Sequence, residues 1–214
     1  MKEPGCTAGT FSRRSVSTFA YTTDQRVAER LSARAREIVG VARDLLEGEG
    51  PEALTMRRVA DRLGIRAPSL YKHLPNKAAL EAAIIAAGFE DAAAAFERAV
   101  DGAGEPLAAI AVAYRTFALA HPHLYRLMTD QPLRRDLLPD GVEARAAAPL
   151  LEAAGDPVRA RAAFAFAHGM VMLELTQRFP PGEDPGPAWQ EGVAAFAARA
   201  RASKGRGRRA GRAV

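Results

Sequence analysis

The feature that most restricts the fold is the spacing of helix-capping, glycine and proline residues in residues 55–77, TMRRVADRLGIRAPSLYKHLPNK. Thr55 is a favourable N-cap, and Gly64 limits the helix that follows it to about two turns. Pro68 can open a second helix because the first helical residue needs no N–H of its own. Pro75 ends that helix, because the residue before a proline avoids helical angles. The segment therefore predicts two very short helices joined by a glycine-containing turn, which is the helix-turn-helix layout.

Helical periodicity surrounds this segment, and the alternation typical of β-strands is absent. Apolar residues recur at three- and four-residue steps through residues 26–47, and Gly48, Gly50 and Pro51 end that first helix. Asn76 is expected to cap a connecting helix over about 77–99. Further helices are expected over residues 106–120, 122–128, 141–154, 157–177 and 188–202, with a helical turn at 134–138. The sequence predicts an all-α fold, an N-terminal three-helix helix-turn-helix DNA-binding domain followed by a C-terminal helical bundle.

Composition divides the chain into four parts. We expect a flexible arm (1–25), a helix-turn-helix domain (26–86), a C-terminal ligand-binding and dimerisation domain (87–202) and a disordered basic tail (203–214). The tail includes KGRGRRAGRAV, which is basic and of low complexity, whereas residues 87–198 hold more acidic than basic residues. Basic ends around a mildly acidic middle favour contact with nucleic acid.

Several other classes of protein are disfavoured. No apolar run approaches the roughly 20 residues that cross a bilayer, and no signal sequence opens the chain, so we expect a cytoplasmic protein without membrane contact. Cys6 is the only cysteine and cannot form an internal disulfide. His121 and His123 lack a third candidate ligand nearby, so neither a metal nor a cofactor is expected. No phosphate-binding glycine loop, nucleophile elbow or metalloprotease motif indicates an enzyme.

The stretch 55–77 has the charge and the side chains that DNA recognition needs. It holds six basic residues and one acidic residue, and neutralisation of phosphates supplies much of the affinity for DNA. Ser69, Tyr71 and His73 are polar groups that no core needs together, and Pro68 offers apolar contact to a thymine methyl. For Arg58 and Arg62 the sequence leaves open whether they contact DNA or only form a solvated helix face.

The same segment resembles the DNA-binding domain of the tetracycline-repressor (TetR) family. The matching residues are Thr55, Val59, Ala60, Leu63, Gly64, Ile65, Leu70, Tyr71, His73, Leu74, Asn76, Lys77 and Leu80. The resemblance implies base contacts from Arg57, Pro68, Ser69, Tyr71 and His73, and phosphate contacts from Thr55, Tyr71 and Lys77. Ala67 stands where the family's namesake repressor has a longer base-reading side chain, and Lys72 replaces an aromatic residue, so a different operator is expected. With Arg66 from the basic stretch, these residues form the candidate DNA-binding site.

The second half resembles the WHG-type C-terminal subtype of that family in FALAHPHLYRLM and AFAFAHGMVMLEL. The resemblance implies a homodimer formed through the helix that begins at residue 157 and the last helix. It also implies a small-molecule effector, whose candidate binding residues are Arg115, Phe117, His121, Tyr125, Met128, Phe164, His168, Met172 and Trp189. The sequence leaves open that the phenylalanines and methionines among them are plain core and that His168 is a hydrogen-bonded core histidine.

Together these patterns predict a homodimeric, sequence-specific transcriptional regulator, a repressor that a small-molecule effector releases from a pseudo-palindromic DNA operator. Two alternatives stay open: a constitutive basic DNA-binding protein without an effector, and a ligand-binding or interaction protein with a vestigial DNA-binding head. Removal of the arm and the tail distinguishes the regulator from the first alternative. A regulator without them keeps its sequence specificity, and only the salt dependence of its DNA affinity becomes shallower.

Overall fold

The computed structural model describes the backbone of residues 32–210 and the side chains of residues 32–201. Within that part the chain forms nine α-helices and no β-strand, so the predicted all-α fold is confirmed. The helices are α1 (Ala33–Glu49), α2 (Met56–Arg62), α3 (Ala67–Tyr71), α4 (Lys77–Val100), α5 (Pro106–Ala120), α6 (Pro122–Thr129), α7 (Val142–Ala154), α8 (Pro157–Leu175) and α9 (Gly186–Ala210). Two short 3₁₀ turns, Pro51–Ala53 and Arg135–Leu137, lie between them.

Side-chain caps fix where four of these helices begin. The Thr55 hydroxyl oxygen accepts a hydrogen bond from the Arg58 backbone N–H, at 3.2 Å. Asn76 and Asp156 cap α4 and α8 in the same way, and Ser32 caps α1. Each cap satisfies one of the N–H groups that a helix start leaves without an intrahelical partner. Residues 26–31, where the first helix was expected to begin, and the predicted arm 1–25 lie outside the described residues.

Several boundaries shift by one or two residues from the expected ones, and two differences affect the interpretation. Helix α3 starts at Ala67, one residue before Pro68, so the proline occupies the second helical position. Helix α9 continues to Ala210, so residues 203–210 are helical where a disordered basic tail was expected. No proline follows position 187 to end this helix, and five of the eight residues 203–210 are arginine, lysine or alanine, which are good helix formers, whereas Gly205 and Gly207 are not. Residues 211–214 of that tail lie outside the described part.

The N-terminal head, made of α1, α2, α3 and the first turns of α4, has one continuous hydrophobic core. Helices α1, α2, α3 and the first turns of α4 bury Ile38, Leu45, Val59, Leu70, Leu80 and Ile84, all 0–1% exposed. Helix α6, from the second half of the sequence, adds the fully buried Leu124 to the same core. The head is therefore completed by an element that lies some forty residues beyond its predicted end.

The remaining helices form a body with smaller apolar clusters. Phe96 of α4 packs against Ile110 of α5, and Trp189 of α9 packs in a cluster with Tyr125 and Val171. The predicted domain boundary at residues 86–87 lies inside α4, which runs without a break from head to body. Among the described helices, none has the length and apolarity that crossing a membrane requires.

Candidate DNA-binding surface and effector region

Helix α3 is anchored by one side chain and exposes the others. Leu70 is fully buried in the head core and holds this five-residue helix in place. Around it the predicted residues Pro68, Ser69, Tyr71, Lys72 and His73 are exposed, Tyr71 by 47%. An exposed aromatic ring flanked by polar groups suits a DNA groove better than it suits water alone.

The basic residues around α3 differ in how far other groups neutralise them. Glu49 at the end of α1 pairs with both Arg58 and Arg62, so the structure engages those two guanidinium groups within the head. Arg57 lies 3.9 Å from Asp61 but its side chain is 90% exposed, a weak pair. Within the described part of the chain, Arg66 and Lys72 have no ion-pair partner. They lie at the N-cap and C-cap of α3 and leave its two ends positively charged.

The other predicted DNA contacts have distinct local roles. Thr55 is exposed, and its hydroxyl oxygen accepts the hydrogen bond that caps α2. The hydroxyl hydrogen can still be donated to a phosphate. Lys77 is the first residue of the 24-residue α4, where the positive end of the helix dipole favours an anion. Lys77 also lies 3.5 Å from Glu81. Ala67 differs from the others because it is half-buried and packs against the head core.

The predicted effector residues do not form one cluster. Phe117 and Met128 pack against the head core, and the His121 ring lies 5.4 Å from that of Phe117. These three residues therefore line the junction between head and body, and Phe117 and Met128 have the core role that the sequence left open. No group of three or more side chains able to hold a metal ion occurs among the residues with described side chains.

A second group is joined by hydrogen bonds inside the body. The Tyr125 hydroxyl lies 2.7 Å from the Tyr114 hydroxyl and 2.6 Å from Nδ1 of His168, and Phe164 stacks on the His168 ring. Burial raises the pKa of Tyr125 to about 12 and raises that of Tyr114 further, so both phenols are protonated at neutral pH. Tyr114 was missed from the sequence, where only its place on an apolar helix face marked it.

A third group is an ion pair between α5 and α8 that α9 completes. Arg115 donates from Nε (3.0 Å) and Nη2 (2.6 Å) to the Glu174 carboxylate, and Trp189 Nε1 donates to the same carboxylate at 2.7 Å. The Glu174 side chain is only 10% exposed, so these three donors compensate its desolvation. Glu174 was missed from the sequence, where its signal was a lone carboxylate in the apolar run AFAFAHGMVMLEL. Met172 is partly buried beside Trp189 and Tyr125.

Two cavities lie beside these groups. An apolar cavity of about 40 Å³ lies in the body next to Tyr114 and Phe164, room for a few water-sized molecules at most. A cleft of about 380 Å³ opens between α5 and α9, within the size range of small-ligand sites. Of the nine predicted effector residues, only Arg115 and Trp189 line this cleft.

The comparisons with known proteins agree with this architecture. Residues 38–84 match the family of bacterial regulatory proteins, tetR family, and residues 107–196 match the tetracyclin repressor-like C-terminal domain. An uncharacterized HTH-type transcriptional regulator of Mycobacterium tuberculosis is 31% identical over 70% of this chain and 74% of its own length.

Solved structures give the same result. A protein of unknown function from Rhodococcus sp. RHA1 is 28% identical, with a TM-score of 0.62 over 82% of this chain and 97% of its own. A TetR variant from Acinetobacter baumannii AYE, in complex with minocycline, is 25% identical, with a TM-score of 0.54 over 75% of this chain and 92% of its own. With both halves matched to their domain families and a relative aligned across most of the chain, this protein belongs to the TetR family of transcriptional regulators.

Proposed function

We propose that the protein is a homodimeric repressor that binds a pseudo-palindromic operator and is released from it by a small-molecule effector. The observation that carries the DNA-binding part is the exposed surface of α3 and of the two residues that follow it. Ser69, Tyr71 and His73 are exposed to solvent, and Arg66 and Lys72 lie at the two ends of the helix. The segment therefore exposes both phosphate-binding charge and hydrogen-bonding groups, as major-groove readout requires.

A selection of bound sequences from random DNA tests this proposal. We expect an inverted repeat with half-sites about one helical turn apart, because two heads related by a two-fold axis read both halves. The Tyr71 side chain is 47% exposed and lies outside the head core, so Tyr71→Ala should fold. It should bind the selected operator at least about tenfold more weakly, the effect of one lost base or phosphate contact. Enrichment of no sequence motif by the wild-type protein would reject specific operator binding.

The salt dependence of operator binding should show which basic side chains around α3 contact phosphates. We expect such contacts from Arg66 and Lys72, which are unpaired among the described residues, but not from Arg62, which is paired with Glu49. Removal of one phosphate contact lowers the slope of log K against log salt by about 0.9, and a dimer loses two such contacts. We expect this change for Arg66→Ala and for Lys72→Ala. Arg62→Ala is the matched control, because Glu49 already engages that guanidinium, and its slope should stay near that of wild type. An equally large change for Arg62→Ala would contradict the assignment.

The dimer is supported by the outer face of α8. Val158, Ala162, Ala165, Gly169 and Leu173 follow one another at three- and four-residue steps and are all exposed, Val158 by 77%. The inner side of the same helix already packs against α5, α7 and α9. A helix that is apolar on all sides is typical of one buried on all sides, so a second copy is the natural cover for this face.

Placing a charge at the centre of this α8 face should therefore break the dimer. A side chain at Gly169 meets no atom within 4 Å in the single chain, so Gly169→Arg should fold. We expect light scattering to give a monomer, and operator affinity to fall because one head buries too little base-specific surface. Ala144→Arg, at an exposed position of α7, is the matched control and should remain dimeric. If the Gly169→Arg protein is still a dimer, the dimer interface does not lie on this face of α8.

Helix α6 supports communication between an effector in the body and the head. Leu124 is fully buried in the head core, while the next residue, Tyr125, hydrogen-bonds to Tyr114 and His168 in the body. The Glu47 carboxylate of α1 accepts from the Leu124 backbone N–H at 2.7 Å, which ties α6 to the head. An effector whose affinity depends on the position of α6 relative to the body would favour one position of α6. It would therefore change the placement of the head.

A further inference from the structure

The cleft between α5 and α9 has a charged pair at each end and an apolar wall between them. The two helices run antiparallel: Glu105 of α5 pairs with Arg201 of α9 at one end, and Arg115 lies with Trp189 at the other. Ten residues of α5 separate the ends, about 15 Å along the helix. Small side chains line the middle, namely Ala108, Ala111, Val112, Val193, Ala194 and Ala197. Val112 is 68% exposed, an unusual degree for a valine in a helical wall.

The hydrogen-bonding groups at these ends are unequally satisfied. Both oxygens of Glu174 are taken by Arg115 and Trp189, and both oxygens of Glu105 are taken by Arg201. A guanidinium has five N–H donors. The Arg115 bonds to Glu174 use Nε and Nη2, and the Arg201 bonds to Glu105 use Nη1 alone. The cleft therefore offers spare guanidinium donors at both ends, whereas its spare side-chain acceptors are those of the exposed Glu105 and of the Gln190 amide.

We propose that this cleft binds an amphipathic carboxylic acid, with its carboxylate at Arg115 and its apolar part along the alanine and valine wall. Trp189 holds the Glu174 carboxylate, and Glu174 in turn holds Arg115 before the ligand arrives, so little side-chain freedom is lost on binding. That this ligand is also the effector rests on the proposed function.

The acidic groups around the cleft do not favour a cationic ligand. Glu174 is only 10% exposed and lies beneath Arg115, and Glu105 is paired with Arg201. Asp184 lies next to Gly186 of the cleft wall, and its Oδ1 accepts from the backbone N–H of Gly186, the first residue of α9. The carboxylates at the two cleft ends, Glu174 and Glu105, are each bonded to a guanidinium group, so a cationic ligand would have to compete with that group. Electrostatic complementarity thus favours the anion.

Trp189 supplies a direct probe, because it is the only tryptophan of the chain and lines the cleft. We would titrate the full-length protein with sodium octanoate, octanol and octylamine and follow the fluorescence of Trp189. The expected result is a saturable change with octanoate at an affinity roughly tenfold or more above those of octanol and octylamine. That ratio corresponds to one charge-assisted hydrogen-bonded pair.

Three variants test where the ligand binds. Val112→Glu puts a negative charge in the wall and should weaken octanoate binding at least about tenfold. Leu119→Glu is the matched control, another exposed apolar residue of α5 outside the cleft, and should bind as wild type does. Arg115→Lys keeps the positive charge but loses the two-pronged donor, so it should also weaken octanoate binding while leaving octanol unchanged.

Several outcomes would overturn the proposal. These are equal binding of octanoate and octanol, no saturable change with octanoate, or equal loss in the Val112→Glu and Leu119→Glu variants. Conversion of the dimer to a monomer by Val112→Glu, without octanoate binding in wild type, would assign the cleft to a second copy of the chain. The fluorescence titration contains no DNA, so a negative result there says nothing about operator binding. Operator binding is measured independently by the selection experiment.

Discussion

Replacing Leu124 by alanine is expected to lower the free energy of unfolding by about 2–5 kcal/mol. Leu124 is fully buried in the head core among side chains of α1 and α4, although it belongs to α6 in the second half of the sequence. The substitution removes apolar contacts and leaves a cavity that the surrounding helices fill only in part. Urea unfolding followed by circular dichroism measures the loss.

Leu119→Ala is the matched control for this experiment. It makes the same chemical change on the neighbouring helix α5, where the leucine is 40% exposed, so the loss should be below about 1 kcal/mol. The Leu124→Ala protein should also bind its operator more weakly than its remaining stability explains, because α6 then no longer fixes the head. Equal effects of the two substitutions would show that α6 is not part of the head core.

Replacing Gly192 by alanine is expected to lower the free energy of unfolding by about 1–3 kcal/mol. A Cβ at this position of α9 would lie 2.1 Å from Cζ of Phe166, far inside any allowed carbon–carbon contact. The Phe166 ring cannot simply swing away, because Trp189 and Phe196 lie against it at centroid distances of 5.8 and 6.0 Å. This overlap outweighs the roughly 1 kcal/mol by which alanine is the better helix former.

Gly40→Ala is the matched control in α1, since a Cβ there meets no atom within 4 Å. It should raise the free energy of unfolding by about 0.5–1 kcal/mol, and thermal unfolding should separate the two variants by several degrees. In a protein that also carries Phe166→Leu, the cost of Gly192→Ala should shrink, because the smaller side chain makes room for the Cβ. An undiminished cost in that background would locate the strain elsewhere.

Local signals in the sequence were sufficient for most helix boundaries. Thr55, Asn76 and Asp156 were predicted as caps, and each accepts the expected hydrogen bond from a backbone N–H three residues later. A cap acts within one turn of chain, so neighbouring residues suffice to identify it. The end of α9 was not predicted, because basic low-complexity composition does not distinguish a tail from a continuing helix of alanine and arginine.

Groupings of side chains across the fold could not be predicted in this way. The sequence left Arg58 and Arg62 undecided, and the answer depends on Glu49, which lies on another helix. The predicted effector residues were grouped by chemistry, as apolar walls with a few polar groups, rather than by location. The fold distributes them between the head core, a buried hydrogen-bond network and the α5–α9 cleft. The local signals of Glu174 and Tyr114, a lone carboxylate in an apolar run and a place on an apolar helix face, did not indicate their roles. Each role consists of contacts between distant segments.

By itself the sequence determined the all-α class, the helix-turn-helix and the family, because these depend on caps, glycine and proline positions and residue matches within short segments. Only the tertiary structure decided that α6 completes the head core and that Arg58 and Arg62 share the carboxylate of Glu49. It also decided that Arg115, Glu174 and Trp189 meet at a cleft. Each of these facts brings together segments far apart in the chain, and such contacts are chosen by packing volume and by the desolvation of charge rather than by neighbouring residues.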